Sequence, residues 1–328
     1  MKHFISQGSL VMAARGIAII MLTTMAGCVT ERVAPAYPSA QVHDGAPPYR
    51  LYVPQIAQKD PASKRPLVVV LHGCLQTADA MAQLTKMNEE ADRAGFFVLY
   101  PDQAKGRHPM NCWMWFDPAN RKHQGGELKT ILNMVDEVKK EHPIDPAGVY
   151  VAGLSSGGAT AAALLACHPK EFAGGALVAS PAFGVASDEK SAQVAMGEKP
   201  SKKKLAQESC QPNEFKGPVL IVAGTKDRTV NPGHASLLAE QFASPEERKQ
   251  ANLASWHLIY PGELSSITAC YGKPSRVCRV LVDGLGHAWS GGHLFSFSEP
   301  RGPSTAELVR RFIVEKEAPK RVESRTKK

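Results

Sequence analysis

The sequence predicts an α/β domain with a mostly parallel central sheet and helices on both faces. Two observations carry that prediction, and the chain's size is compatible with it. Six short apolar runs, dominated by Val, Leu and Ile, are bounded by glycine and proline. Nearly unbroken runs of this kind belong to strands buried on both faces. Stretches with helical spacing lie between them, and strand–helix–strand repeats with right-handed crossovers give parallel sheets. The chain has 328 residues, 43% of them hydrophobic and 21% charged, enough apolar material for one sizeable core.

The strand candidates, in order, are RPLVVVLHG, GFFVLYPD, GVYVAGLS, GGALVASP, GPVLIVAGTKD and RVCRVLVDGLGH. Leu128, Ile131, Leu132, Val135 and Val138 repeat at helical spacing after Gly125-Gly126. Gly157 to Cys167 reads as a small-residue helix stopped by Pro169. Ser304 and Glu307 have capping-box spacing ahead of Leu308 and Phe312.

Lys2, His3 and Arg15 precede the apolar run GIAIIMLTTMAG, which is too short for an ordinary membrane-spanning helix. The run ends at Met25-Ala26-Gly27-Cys28, similar to a bacterial lipobox with Met25 in place of the usual leucine. Residues 1–28 are therefore expected to be a lipoprotein-type signal peptide, with Cys28 as the lipidation site. A start at Met12 would make the signal more compact. Residues 29–48, polar and proline-rich, read as a flexible tether. Residues 49–316 form the expected α/β domain, and 317–328 a disordered basic tail. Export to the bacterial envelope, or secretion, places the chain in an oxidising compartment. Cys74, Cys112, Cys167, Cys210, Cys270 and Cys278 then suggest disulfides, which could connect in 15 ways. Cys270 and Cys278 flank the turn-rich YGKPSRV and are the first expected pair. Cys112 is the expected partner of Cys74.

The formal net charge is +8, but basic residues are scattered, with local excess only at Lys202 to Lys204 and the C-terminus. That distribution argues against nucleic-acid binding. No phosphate loop or clustered metal-ligand spacing is visible, and no cofactor is expected.

Ligands of open parallel sheets collect beyond the carboxyl ends of the strands. VYVAGL runs to Ser155 and directly into a helix that starts at Ser156-Gly157-Gly158, so Gly153-x-Ser155-x-Gly157 has the strand–turn–helix context of a nucleophile elbow. VLIVAGTKD leads to Asp227 and VLVDGLGH to His287. A serine hydroxyl needs a histidine base, and that histidine a carboxylate to fix its tautomer. The expected catalytic residues are Ser155, Asp227 and His287. Asp102 and Asp283 are alternatives for the acid, and His293 for the base. The oxyanion donors would be the amides of Ser156 and of Cys74 or its neighbour Leu75. His72 would orient that loop. Trp113, Trp115 and Trp289 are either core residues or a substrate-facing platform.

LHGCLQ, YPDQ, NCWMWFDP followed by GGE, VYVAGLSSGGA, GTKDRTVNP and GLGHAWSGG together resemble the polyhydroxybutyrate depolymerase family, with its feruloyl and acetylxylan esterases and exported lipoprotein homologues. The likeness runs from about Tyr49 to Val314. It implies an α/β-hydrolase fold and a Ser-Asp-His triad at Ser155, Asp227 and His287. Polymer-degrading members append a linker and a polymer-binding domain, whereas this sequence stops soon after its last helix. Soluble hydroxyalkanoate oligomers, or feruloyl, acetyl and short-chain esters, are therefore the expected substrates. Acyl transfer on the same fold, or a non-catalytic envelope lipoprotein that binds ligands, are the alternatives.

Overall fold

All six apolar runs become neighbouring parallel strands. The computed structural model describes residues 41–43, 48–123, 125–201, 210–255, 264–317 and 319–321. The expected signal peptide, Cys28, most of the tether, Lys202 to Lys204 and most of the basic tail lie outside the described residues. In chain order the strands are β1 (Gln41–His43), β2 (Tyr49–Tyr52), β3 (Arg65–Leu71), β4 (Phe97–Pro101), β5 (Ile144–Leu154), β6 (Gly174–Val178), β7 (Val219–Gly224), β8 (Asn252–Ser255), β9 (Ser266–Tyr271), β10 (Val277–Val282), β11 (Trp289–Ser290), β12 (Ser298–Glu299) and β13 (Lys320–Arg321). The main sheet has the order β1-β2-β4-β3-β5-β6-β7-β10-β9-β8-β13. The central six, β4-β3-β5-β6-β7-β10, are all parallel. The flanking pairs on both sides are antiparallel. Short pairings thus extend past 49–316 at both ends, through β1 and β13.

The helices are α1 (Gln55–Lys59), α2 (Ala78–Leu84), α3 (Met87–Ala94), α4 (Gly126–Glu141), α5 (Ser156–Cys167), α6 (Glu189–Gly197), α7 (Gly233–Phe242), α8 (Pro245–Lys249) and α9 (Thr305–Leu308). Strand pleating sends alternate residues of β3 to opposite layers. Leu67, Val69 and Leu71 pack with Leu128 and Ile131 of α4, Leu165 of α5 and Leu238 of α7. Val68 and Val70 pack with Met81 of α2, Met87 of α3 and Leu308 of α9. All five strand residues are fully buried, which is why this stretch reads as one unbroken apolar run.

Every residue of α5 is buried, and its many alanines let the backbone approach the sheet closely. Ser304 accepts the Glu307 amide at 3.2 Å as the N-cap of α9. The disulfides are Cys74–Cys112, Cys167–Cys210 and Cys270–Cys278. Cys270 lies directly opposite Cys278 on the neighbouring strands β9 and β10.

Candidate active site

The junction of β5 and α5 is strained and tightly enclosed. Ser155 has φ 57° and ψ −118°, a conformation that costs a non-glycine residue on the order of 1–3 kcal/mol. Its surroundings enforce it: its amide donates to the Val178 carbonyl at 2.8 Å, and its carbonyl accepts from Ala159 at 3.0 Å. The flanking glycines supply room. A Cβ on Gly153 would stand 2.3 Å from the Gly157 backbone, and one on Gly157 would stand 2.4 Å from the Leu71 carbonyl oxygen. The G-x-S-x-G spacing is thus required by backbone packing at this turn.

Asp227 lies three residues beyond β7, and its Oδ1 accepts the Thr229 and Val230 amides at 2.9 Å each. Its Oδ2 lies 2.8 Å from His287 Nδ1, and His287 Nε2 lies 2.9 Å from Ser155 Oγ. A carboxylate only accepts, so Nδ1 carries the proton and Nε2 is left to accept from the serine hydroxyl. The His287 loop is laced to the acid loop: the Lys226 amide donates to Leu285 at 3.0 Å. A Cβ on Gly224 would stand 2.1 Å from that same carbonyl oxygen. The other candidates are engaged elsewhere. Asp283 accepts from Thr225 Oγ1 at 2.9 Å, Asp102 lies 3.4 Å from His72, and His293 pairs with Glu89 at 2.8 Å.

Ser156 is the first residue of α5, where an amide has no intrahelical acceptor and the helix dipole favours negative charge. The loop after β3 closes over the same spot, since a Cβ on Gly73 would stand 3.4 Å from the Ser155 Cβ. The Gly73 amide is bound to Gln76 Oε1 at 2.8 Å, and the Leu75 amide to the Met110 carbonyl at 2.7 Å. Of the two expected donors in this loop, Leu75 is therefore occupied, and Cys74 is the candidate. His72 is fully buried; its Nε2 accepts the Gln103 amide at 3.1 Å, so Nδ1–H donates to the Gly73 carbonyl at 2.8 Å.

Residues 48–251 match the family model described as Esterase PHB depolymerase. The chain belongs to that family. Poly(3-hydroxyalkanoate) depolymerase C of Paucimonas lemoignei is 34% identical over 185 residues, 55% of this chain and 44% of that protein. Feruloyl esterase B of Thermothelomyces thermophilus is 34% identical over 143 residues, 43% of this chain and 47% of that protein. The chain thus spans less than half the length of these two relatives. Among solved structures, an acetyl xylan esterase from Aspergillus awamori aligns with a TM-score of 0.58 at 20% identity, over 73% of this chain and 88% of that one. That likeness is one of fold, and the fold is that of the α/β-hydrolases. The matched family segment holds Ser155 and Asp227 but ends before His287.

Within this esterase-family frame the tryptophans serve packing. Trp113 is 1% exposed and Trp289 is 0% exposed, so neither ring offers a face to solvent. Trp113 lies 5.2 Å from the ring of His72, which leads into the loop after β3. Trp115, 6% exposed, packs edge-on against Phe116 and joins Ala159, one turn from Ser155. The expected platform gives way to core for Trp113 and Trp289, because an aromatic cluster reads the same in sequence whether it packs or projects. Met110, whose carbonyl engages the Leu75 amide, carries no sequence signal. The amides of Thr229 and Val230 could have been anticipated: an aspartate followed by a short turn commonly accepts backbone amides two and three residues on.

Proposed function

We propose that the chain is a serine carboxyl-ester hydrolase working through an acyl-enzyme. The observation that carries this reading is the continuous line Asp227 Oδ2–His287–Ser155 Oγ, with both contacts at hydrogen-bond distance. Ser155 Oγ attacks the ester carbonyl as His287 Nε2 takes its proton. The resulting oxyanion is received by the Ser156 and Cys74 amides. The imidazolium, stabilised by Asp227, protonates the leaving alcohol. Water, deprotonated by the same nitrogen, then releases the acid and restores Ser155. The substrates are carboxylic esters, in keeping with relatives named poly(3-hydroxyalkanoate) depolymerase, feruloyl esterase and acetylxylan esterase.

The three disulfides support an exported protein. In this reading residues 1–28 direct export, Cys28 carries the lipid and the stretch between it and β1 links it to the domain. Labelled palmitate should enter the chain and be lost on Cys28→Ser. Turnover of 4-nitrophenyl acetate and butyrate by wild type and Ser155→Ala tests the chemistry. Hydrolysis that depends on Ser155 is expected, and equal rates would overturn the proposal.

A further inference from the structure

YPDQ, NCWMWF and GGE have no part in the chemistry above, yet they meet at one carboxylate. Glu127, 6% exposed, stands in the first turn of α4. Its Oε1 accepts from Gln103 Nε2 at 2.6 Å. Its Oε2 accepts from the Met114 amide at 2.8 Å and from Asn120 Nδ2 at 3.3 Å. The Glu127 amide in turn donates to Asn120 Oδ1 at 2.6 Å. Gly126 makes that contact possible: its φ is +61°, and a Cβ there would stand 2.0 Å from Asn120 Oδ1. Among the described residues, Arg107, half exposed, offers the carboxylate an ion pair with Nε 3.9 Å away. Burial pushes the Glu127 carboxyl up, and the bonds from Gln103 and Met114 oppose that rise. A buried carboxylate is costly unless its lone pairs are filled, and here three donors from three segments fill them.

What those donors hold is the oxyanion loop. Gln103 Nε2 also donates to the Cys112 carbonyl at 2.9 Å, and Cys112 is bonded to Cys74. The Gln103 amide reaches His72, whose other nitrogen binds the Gly73 carbonyl. Two routes therefore run from Glu127 to the residues either side of the Cys74 amide. One passes through Gln103 and His72 to Gly73, the other through Gln103 and Cys112 to the disulfide. We propose that Glu127 is a positioning residue that fixes the Cys74 oxyanion donor through Gln103, His72 and the Cys74–Cys112 disulfide. This role rests on the serine-esterase reading. A donor held in place by such a network acts on the transition state, where the oxyanion forms, and leaves ground-state binding unchanged.

The test compares wild type, Ser155→Ala, Glu127→Gln, Gln103→Met and Cys74→Ala/Cys112→Ala with and without Glu127→Gln. Kinetics on 4-nitrophenyl butyrate are expressed per folded molecule, with folding checked by circular dichroism. Glutamine keeps the shape of Glu127 but offers one acceptor oxygen where three donors converge. A drop in kcat of about tenfold or more is expected, with KM held within about twofold. In the disulfide-free background the same substitution should cost far less, since both changes loosen one loop. Should Glu127→Gln not fold, Gln103→Met cuts the side-chain link and keeps the Gln103 amide on His72; it should show the same fall in kcat at constant KM. An unchanged kcat in the folded variant, a rise in KM alone, or independent effects of Glu127→Gln and the disulfide would overturn the role. Wild-type turnover equal to that of Ser155→Ala would instead overturn the esterase reading, and this role with it.

Discussion

The two sides of the candidate site are built on different principles. On the proposed acid–base side, Asp227 and His287 are held mostly by backbone: amides of Thr229 and Val230 on the carboxylate and the Lys226–Leu285 bond between the loops, with Thr225 Oγ1 adding one side-chain tie to Asp283 and the Gly284 amide. On the proposed oxyanion side, the Cys74 loop is held by a disulfide, a buried histidine and a buried carboxylate. The first arrangement needs only two short loops beyond neighbouring strands β7 and β10. The second must gather segments from residues 72–76, 102–116 and 120–127, which pair in no sheet, and it does so with side chains. Geometry supplied by sheet neighbours should resist substitution of surrounding side chains, whereas geometry supplied by side chains should be lost piecemeal.

Substitutions on the two sides should separate them. The largest effect belongs to the line of three itself: Ser155→Ala should cut kcat by more than about a thousandfold, read with a chromogenic ester. Next comes Asp227→Asn, which keeps the shape but leaves the Nδ1 proton without its carboxylate; a loss on the order of 10³–10⁴ in kcat is expected. Opening the Cys74–Cys112 disulfide should cost less, about ten- to a hundredfold in kcat, since the backbone donor survives and only its placement is relaxed. A loss as large as that of Asp227→Asn would erase the proposed contrast. The smallest effect is on stability. His234 is fully buried, with Nδ1 accepting the Ala182 amide at 3.0 Å and Nε2–H donating to the Ala195 carbonyl at 2.9 Å. Burial lowers its pKa, so the unfolded chain takes up a proton first as pH falls. Stability should therefore decline from about pH 6.5 downward, toward the lowered folded-state value. Melting temperatures of wild type and His234→Gln between pH 7 and 5 check this, with a shallower slope expected for the variant.

The legible parts of the molecule are those whose environment is uniform. β3, β5, β6 and β7 lie between two helical layers, so composition alone marks them. β9 is different: Ser266 and Ile267 are exposed while Thr268 and Cys270 are buried, and six residues of mixed pattern resemble a loop. β2 is four residues long and is made a strand by pairing with β4, a contact that no local pattern encodes. Ser155, Asp227 and His287 could be placed because each follows a readable strand. Glu127 could not be assigned a partner, since Gln103, Met114 and Asn120 reach it only through the folded loops. Trp113 and Trp289 were ambiguous for the same reason, burial being a property of the packed chain.

The central claim is that Ser155 is a nucleophile activated by His287 beside an oxyanion site. Incubating the native protein with a fluorophosphonate and mapping the adduct by mass spectrometry tests it most directly. One adduct per chain, on Ser155, formed much more slowly by His287→Ala, is the predicted result. No adduct on the folded wild-type protein, or one at a residue other than Ser155, would contradict it.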